Sequence, residues 1–474
     1  MSYIPIFYLF ISSFGLIVYI RIPKLFFVYW LSVPAFVVPL FFILFNPSYV
    51  GKQTIETFYM GFRAPLVYLL IFITIVEYLK TRRLRQKGYI LPFFVLTFFL
   101  IAQNVLKGFN AEALLVNVRE VLFLMMPTIA LSISPRLRPK RKELINFLFL
   151  FIAIEAFFCI LNSVGFRLYS KYSSGGSFAD VFLCGTFLRY NHLTNYLTTF
   201  YLFLSTAYFT NRSIPRSGYI IVTIIVGFII IMSGARISVI LFFLTIGLFF
   251  LLYRSKYVVL LVIIAIVFAY AAPIMLSKFD VGTPNADQAT GFERNITGLM
   301  DLFKSKNVDE NTLTLSAFLL LTKFGDPLMG NGYAYRNTNQ YEISGNIDEI
   351  TLQTDSRVAF MMVDYGIVGC LCFAFFFYGI IKCNRNRYGN KSRRLWTILI
   401  LYYIAFTITE TGIFDLVPFS MLSIYCFSRV GINIPSLFIM LKKLRYEILY
   451  RLLIFWIADH RLIVKYLHSV ELKR

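Results

Sequence analysis

Long apolar runs, separated by short clusters of basic residues, fill most of this 474-residue chain. Hydrophobic residues make up 58 % of it and charged residues only 15 %, and the mean hydropathy is +0.71. One buried core cannot absorb that much apolar surface, so most of the chain must face an apolar solvent. This pattern predicts an all-α polytopic membrane protein.

Runs that can cross about 30 Å of hydrocarbon as helices predict about 12–14 transmembrane segments. The candidate segments lie near 3–20, 25–45, 64–79, 89–106, 113–133, 144–165, 187–209, 219–233, 236–253, 257–276, 357–381, 395–410 and 412–428. The first is interpreted as a retained span, because it has neither a basic n-region nor a convincing small-residue cleavage site. Helices 1–10 therefore occupy residues 1–276, and helices 11–13 occupy residues 357–428.

The basic residues sort onto alternate loops. The formal net charge of +22 comes from separate clusters, including 80–87, 136–142 and 382–394, and not from one stripe that would suit nucleic acid. Under the positive-inside rule these loops are cytoplasmic, and the amino terminus lies outside. The tail 429–474 mixes apolar and basic residues at helical spacing, which predicts an amphipathic segment on the cytoplasmic lipid surface.

The segment 277–356 is expected to form a large loop on the opposite, periplasmic face. It is acid-leaning and rich in Gly, Asn, Asp and Thr. Ordered loops on one face are typical places for substrate handling. A disordered external loop is the alternative.

An arginine interrupts the apolar stretch "IIIMSGARISVI" at 229–240. As one helix, residues 219–253 would measure about 50 Å, far more than one membrane thickness. Two helices joined at 233–235 fit better, and they place Arg236 at the outer tip of a hairpin. A partner is expected there, although an arginine that reaches past the lipid to water is the alternative.

The same length argument applies to residues 396–427. A turn near Thr411 and Gly412 brings Glu410 and Asp415 to the outer face. Either carboxylate could instead cap backbone amides at a helix end.

More polar residues fall at this outer level. They stand at the entrance of the seventh span and where the long loop re-enters the membrane: Arg189, Asn191, His192, Asp355 and Arg357. Guanidinium groups bind phosphate bidentately and stay charged when partly desolvated. The shared level predicts that Arg189, Arg236 and Arg357 hold a diphosphate, and hence that the substrate is a lipid-linked phosphate.

Other ionisable residues are less specific. His192 is a candidate general base, although a histidine at a helix start is more often only hydrogen-bonded. Arg119, Glu120 and Glu155 fall inside predicted spans and are interpreted as a structural ion pair. The cysteines lack metal-ligand spacing, and the arginines could supply a metal's charge, so neither a metal nor a cofactor is expected.

Four short motifs follow one another around the long loop: "RYNHLTNYL", "SGARISVI", "FGDPLMGNGYAYRN" and "MVDYGIVG". In this order the chain resembles the O-antigen ligase and polymerase superfamily of integral-membrane glycosyltransferases. The resemblance covers roughly residues 187–427 and rests on order and spacing, because each motif is short.

The resemblance implies a C-type glycosyltransferase fold that takes a glycan from an undecaprenyl-diphosphate carrier at the periplasmic face of the bacterial inner membrane. By matching position, Arg236 and Arg357 would stabilise the departing diphosphate, and Glu410, Asp415 or Asp355 could take the acceptor proton. Ligases typically carry a His-Asn pair after the loop, where this chain has Thr354 to Arg357, which favours a polymerase of O-antigen or capsule repeat units.

Two rival functions remain open. A ligase would pass the glycan to lipid A-core, whereas a polymerase passes it to the non-reducing end of another carrier-linked repeat unit. For a polymerase, a separate chain-length regulator protein is a candidate partner. A flippase, which is not an enzyme, needs polar residues through the full depth of its helices. Here they are expected to gather on the outer side.

Overall fold

The computed structural model describes residues 3–37, 63–81, 90–106, 109–163, 183, 185–187, 190–211, 214–233, 236–253, 328–330, 365–379, 395–403 and 416–428. Within these ranges the chain is almost entirely helical and has no strand, which confirms the expected all-α class. The predicted span 257–276, most of the loop 277–356 and the tail 429–474 lie outside them.

Twelve α-helices of the described chain are used below. They are α1 Tyr3–Arg21, α2 Phe26–Ser32, α3 Arg63–Thr81, α4 Ile90–Leu106, α5 Ala111–Ile133, α6 Arg141–Ser163, α7 Tyr190–Asn211, α8 Arg216–Met232, α9 Arg236–Tyr253, α10 Tyr365–Gly379, α11 395–403 and α12 Leu416–Phe427. Each lies on a predicted span, because an apolar segment long enough to cross a bilayer must satisfy its backbone hydrogen bonds within itself.

Two described helices are long and apolar enough to cross a membrane, Ala64–Thr81 and Arg141–Ser163, and six shorter apolar helices accompany them. Large apolar side chains also cover much of the outer surface. On α4, for example, Phe94, Phe98 and Leu106 are 60 %, 74 % and 75 % exposed. Water-soluble monomers rarely expose apolar patches of this extent, so the surface indicates association with a membrane.

Two helices form the centre of the bundle. α5 packs against α3, α4 and α12, and α7 packs against α6, α8, α9 and α12. α12 joins the two groups: the hydroxyls of Thr128 and Ser423 are hydrogen-bonded, and the rings of Phe203 and Tyr425 lie 4.8 Å apart. The candidate functional residues of α7 and α9 are therefore held from several sides.

Ring contacts give the direction of α7 relative to its neighbours. Against α9, Tyr201 lies 4.8 Å from Phe242, and Phe209 lies 5.1 Å from Phe249. Against α6, Phe200 lies 4.7 Å from Phe151. Along α7 and α9 later residues meet later residues, because Thr194 contacts Ser238 near both helix starts, so these two helices run parallel. Along α6 the order reverses, because Phe200 also contacts Phe147 whereas the earlier Tyr196 contacts Phe151, so α7 runs antiparallel to α6.

The basic residues that flank the helices gather at one end of the bundle. Tyr19 donates a 2.6 Å hydrogen bond to Glu77, Ser134 donates to the same carboxylate, and Lys80 lies 3.8 Å from it. The turns Pro23–Leu25 and Pro135–Leu137 are in contact. We call this end, which carries Arg21, Lys80, Arg136, Arg141 and Arg216, the basic end.

Two arginines of the basic end are buried, which the interpretation of this cluster as loop charges did not anticipate. Arg138 donates to the carbonyl of Leu131 at 2.8 Å and lies over the ring of Phe427 at 5.3 Å. Arg141 donates to Ser428 Oγ at 3.2 Å and lies over the ring of Tyr425 at 4.6 Å. These contacts tie the start of α6 and the segment before it to the end of α12.

Replacing Arg141 with alanine is expected to lower the apparent Tm of the purified protein and to reduce its free energy of unfolding by about 2 kcal/mol. The reason is that a cation–π contact and a charged hydrogen bond disappear. Lys142→Ala removes the same charge from the next, only partly buried, position and serves as the control. Thermal unfolding in detergent measures both. If Arg141→Ala and Lys142→Ala lowered the Tm equally, the buried contacts of Arg141 would not be what stabilises the protein.

Candidate functional site

The break expected in the apolar stretch 219–253 is confirmed. α8 ends at Met232 and α9 begins at Arg236. Ser233, the last residue before the break, is buried and donates to the carbonyl of Ile230 at 2.7 Å. We call the end of the bundle at this break, opposite the basic end, the hairpin end. α6 ends there, and α7 begins there.

A hydrogen-bonded contact joins the first turns of α7 and α9. Ser238, two residues after Arg236, donates to Thr194 Oγ1 at 2.9 Å and lies 3.4 Å from Asn195 Oδ1. All three side chains are fully buried. The backbone that carries Arg236 is therefore adjacent to the helix start that carries Asn191 and His192. The structure thus brings two of the predicted site elements together.

The side chains at this contact are only partly described. His192 is half-buried, and the descriptions of Asn191 and Arg236 stop at the backbone. The amino ends of α7 and α9, with the positive ends of their dipoles, lie at the same end of the bundle. Such an environment favours an anion. His192 as a general base stays a prediction.

Glu155 of α6 forms a buried site that sequence reasoning missed. Its carboxyl group is fully buried and accepts a 2.9 Å hydrogen bond from Thr186 N–H, and its Oε1 lies 2.5 Å from Thr186 Oγ1. Two turns further along α6, Asn162 accepts a 2.9 Å hydrogen bond from Gly185 N–H. An ion pair with Arg119 was expected for this acid. The donors that the structure describes at Glu155 are uncharged, and the ion pair stays a prediction because the side chain of Arg119 lies outside the description.

Residues 185–187 are fixed to both neighbouring helices. The buried ring of Phe187 lies 6.1 Å from Phe151 of α6 and 4.8 Å from Tyr196 of α7. Gly185 has φ +58°, and a Cβ there would overlap the Glu155 carboxylate. This short segment precedes Arg189 by only two residues, so its anchoring sets where the entrance to α7 starts.

A fragment of the long loop lies at the same end of the bundle. Gln103, near the end of α4, donates to the Met329 carbonyl at 2.5 Å, and Val368 N–H of α10 donates to the Leu328 carbonyl at 3.2 Å. Gly330 and Gly366 have φ +68° and +61°. The loop motif is thus seated between α4 and the first turn of α10.

Hydroxyl groups extend along the whole of α7, so the expectation that polar residues gather on one side is wrong for hydroxyls. Near the basic end, Tyr201, Ser205 and Tyr219 share hydrogen bonds of 2.9–3.1 Å. Midway along the helix, Thr199 lies 3.3 Å from Tyr402 of α11. These groups are buried and bonded to one another, which is the pattern of helix packing in an apolar medium.

Several predicted site residues fall outside the described ranges, namely Arg189, Asp355, Arg357, Glu410 and Asp415. Their roles stay predictions. Within the part of the chain that the structure describes, no three His, Cys, Asp or Glu side chains come close enough to hold a metal ion.

No protein-family model matches the chain, and comparisons with curated proteins and with solved structures returned no match. The functional proposal therefore depends on the motifs, on the helix contacts and on the chemistry of the residues that they bring together.

Proposed function

We propose that the protein is a polytopic polymerase of the bacterial inner membrane that extends an O-antigen or capsule glycan at the periplasmic face. It transfers the glycan from one undecaprenyl-diphosphate carrier to the non-reducing end of another carrier-linked repeat unit. The carrying observation is the contact of Ser238 with Thr194 and Asn195. It joins the helix starts of the "SGAR" and "RYNH" motifs, which supply the proposed Arg236 and His192.

The apolar surface of the bundle supports a membrane setting for this chemistry, and the separate basic end supports an orientation. If the basic end faces the cytoplasm, as the positive-inside rule requires, the hairpin end faces the periplasm. A carrier lipid that spans the leaflet would then present its diphosphate at the level of Arg236. The described fragment of the long loop, residues 328–330, lies at that same end.

The main catalytic requirement of this reaction is to stabilise the negative charge on the departing diphosphate; no covalent intermediate with the protein is needed. The acceptor hydroxyl oxygen bonds to the anomeric carbon while the bond from that carbon to the diphosphate oxygen breaks. The electron pair leaves with the diphosphate, and the hydroxyl proton passes to a carboxylate or to His192. Arg236, with Arg189 and Arg357, would match the developing charge, because preorganised donors act where charge develops.

A deletion strain complemented with the wild-type gene tests the proposal. The deletion is expected to leave single repeat units attached to the acceptor lipid, because one unit can be transferred but not extended. Complementation is expected to restore a ladder of glycan bands on a gel. A deletion that leaves no repeat unit on the core would point to a ligase or a flippase and would overturn the polymerase.

A further inference from the structure

At the Glu155 site, the Thr186 hydroxyl lies within hydrogen-bond distance of more acceptor oxygens than it has hydrogens to donate. Thr186 Oγ1 lies 2.5 Å from Glu155 Oε1 and 3.1 Å from the Ala35 carbonyl oxygen, and each distance suits an acceptor of the hydroxyl hydrogen. A threonine hydroxyl carries one hydrogen. It cannot donate fully to both oxygens, so one of the two short contacts needs a hydrogen from elsewhere.

A proton on Glu155 accounts for the three hydrogen bonds between Thr186 and its partners Glu155 and Ala35. Glu155 Oε1–H donates to Thr186 Oγ1, the Thr186 hydroxyl donates to the Ala35 carbonyl, and Thr186 N–H donates to the other carboxyl oxygen. Among the side chains that the structure describes, none is a cation paired with Glu155, and a fully buried, unpaired carboxylate would be costly. The neutral acid therefore fits both the hydrogen count and the burial.

We propose that Glu155 is a positioning residue that works as a neutral carboxylic acid. It fastens residues 185–187 to α6 and so fixes the chain that leads into Arg189 of the proposed diphosphate site and into His192, the candidate general base. This inference rests on the proposed function for its consequence in the cell. The fastening itself is a property of the fold.

Three features assign Glu155 to holding the segment. The carboxyl group contacts Thr186 through backbone and side chain together. Gly185 approaches it so closely that a Cβ would overlap Oε2. Thr186 also bridges Glu155 to the Ala35 carbonyl, which lies in the turn Val33–Val37 after α2. One side chain thus joins three chain segments at the hairpin end.

Glu155→Gln and Glu155→Ala test the proposal in the full-length protein. Glutamine can donate to Thr186 Oγ1 and accept from Thr186 N–H, as the neutral acid does. We expect Glu155→Gln to keep the glycan ladder and the apparent Tm. Glu155→Ala is expected to reduce ladder yield about ten-fold or more at matched protein level, because misplaced groups lose catalysis steeply.

Arg141→Ala is the control for lost stability, because it acts at the basic end. It is expected to lower the Tm yet keep the ladder. If both Arg141→Ala and Glu155→Ala reduce the ladder yield in proportion to the fall in Tm that each causes, the effect of Glu155 is only structural. That result would overturn the positioning role. If Glu155→Gln folds but is as defective as Glu155→Ala, the acid needs its charge or its proton, which also overturns the proposal.

A stability cycle separates this inference from the proposed function. Glu155→Ala, Thr186→Val and the double variant are compared by thermal unfolding of purified protein. We expect the double variant to lower the Tm by less than the sum of the single variants, whether or not the protein polymerises glycans. If the Tm changes of the two single variants add up to that of the double variant, Glu155 and Thr186 do not stabilise the fold through their contact. A wild-type gene that restores no ladder, with the cycle still coupled, would disprove only the polymerase.

Discussion

Replacing Arg236 with alanine is expected to abolish the glycan ladder and leave the one-repeat band. Arg236 begins α9 beside the start of α7, at the amino ends of two helices. Losing one preorganised donor to a developing charge typically costs about 10²–10³ in rate. Arg236→Lys is expected to fail as well, because lysine keeps the charge but not the planar fork that binds phosphate bidentately.

Arg216→Ala is the matched control for Arg236. Arg216 is exposed and begins α8, so it lies at the other end of the same helical hairpin, about 25 Å along the helix axis. The variant removes the same charge and is expected to keep the ladder. A full ladder from both Arg236 variants, at normal protein level, would make Arg236 a surface arginine that only reaches water. The diphosphate site would then depend on Arg189 and Arg357.

Gly366→Ala has the second large expected effect. Gly366 has φ +61°, a conformation that costs an L-residue about 1–2 kcal/mol. A Cβ there would also lie 2.5 Å from the Leu328 carbonyl carbon and 2.6 Å from Gly330 N. Because those atoms belong to the backbone, they cannot relieve the overlap by a change of side-chain rotamer. We expect alanine to unseat residues 328–330 from α10 and to eliminate the ladder while the helix content stays unchanged.

Gly247→Ala is the control for Gly366. Gly247 lies within α9, and a Cβ there would meet nothing within 4 Å. Alanine at an unobstructed helical site is expected to be neutral or slightly stabilising. Circular dichroism reports helix content, and protease treatment of membrane vesicles reports whether cleavage within 277–356 increases. Unchanged cleavage and a normal ladder in Gly366→Ala would contradict the seating of the loop.

The helices and the break between α8 and α9 were predictable from the chain itself. Both follow from local quantities, the length of an apolar run and the rise of a helix per residue. The burial of Arg138 and Arg141 was not, because orientation rules treat loop charges as solvated. Tyr425 and Phe427, which receive the two guanidinium groups, follow almost three hundred residues later.

The sequence by itself determined the helical class and the positions of the described helices, because hydropathy and charge act over a single span. Only the tertiary structure decided which polar groups meet. Thr186 follows Glu155 by 31 residues, and Met329 follows Gln103 by 226. Hydroxyl and amide groups have no sequence signature for a partner, since many donors suit any one acceptor. Helix packing selects the partner.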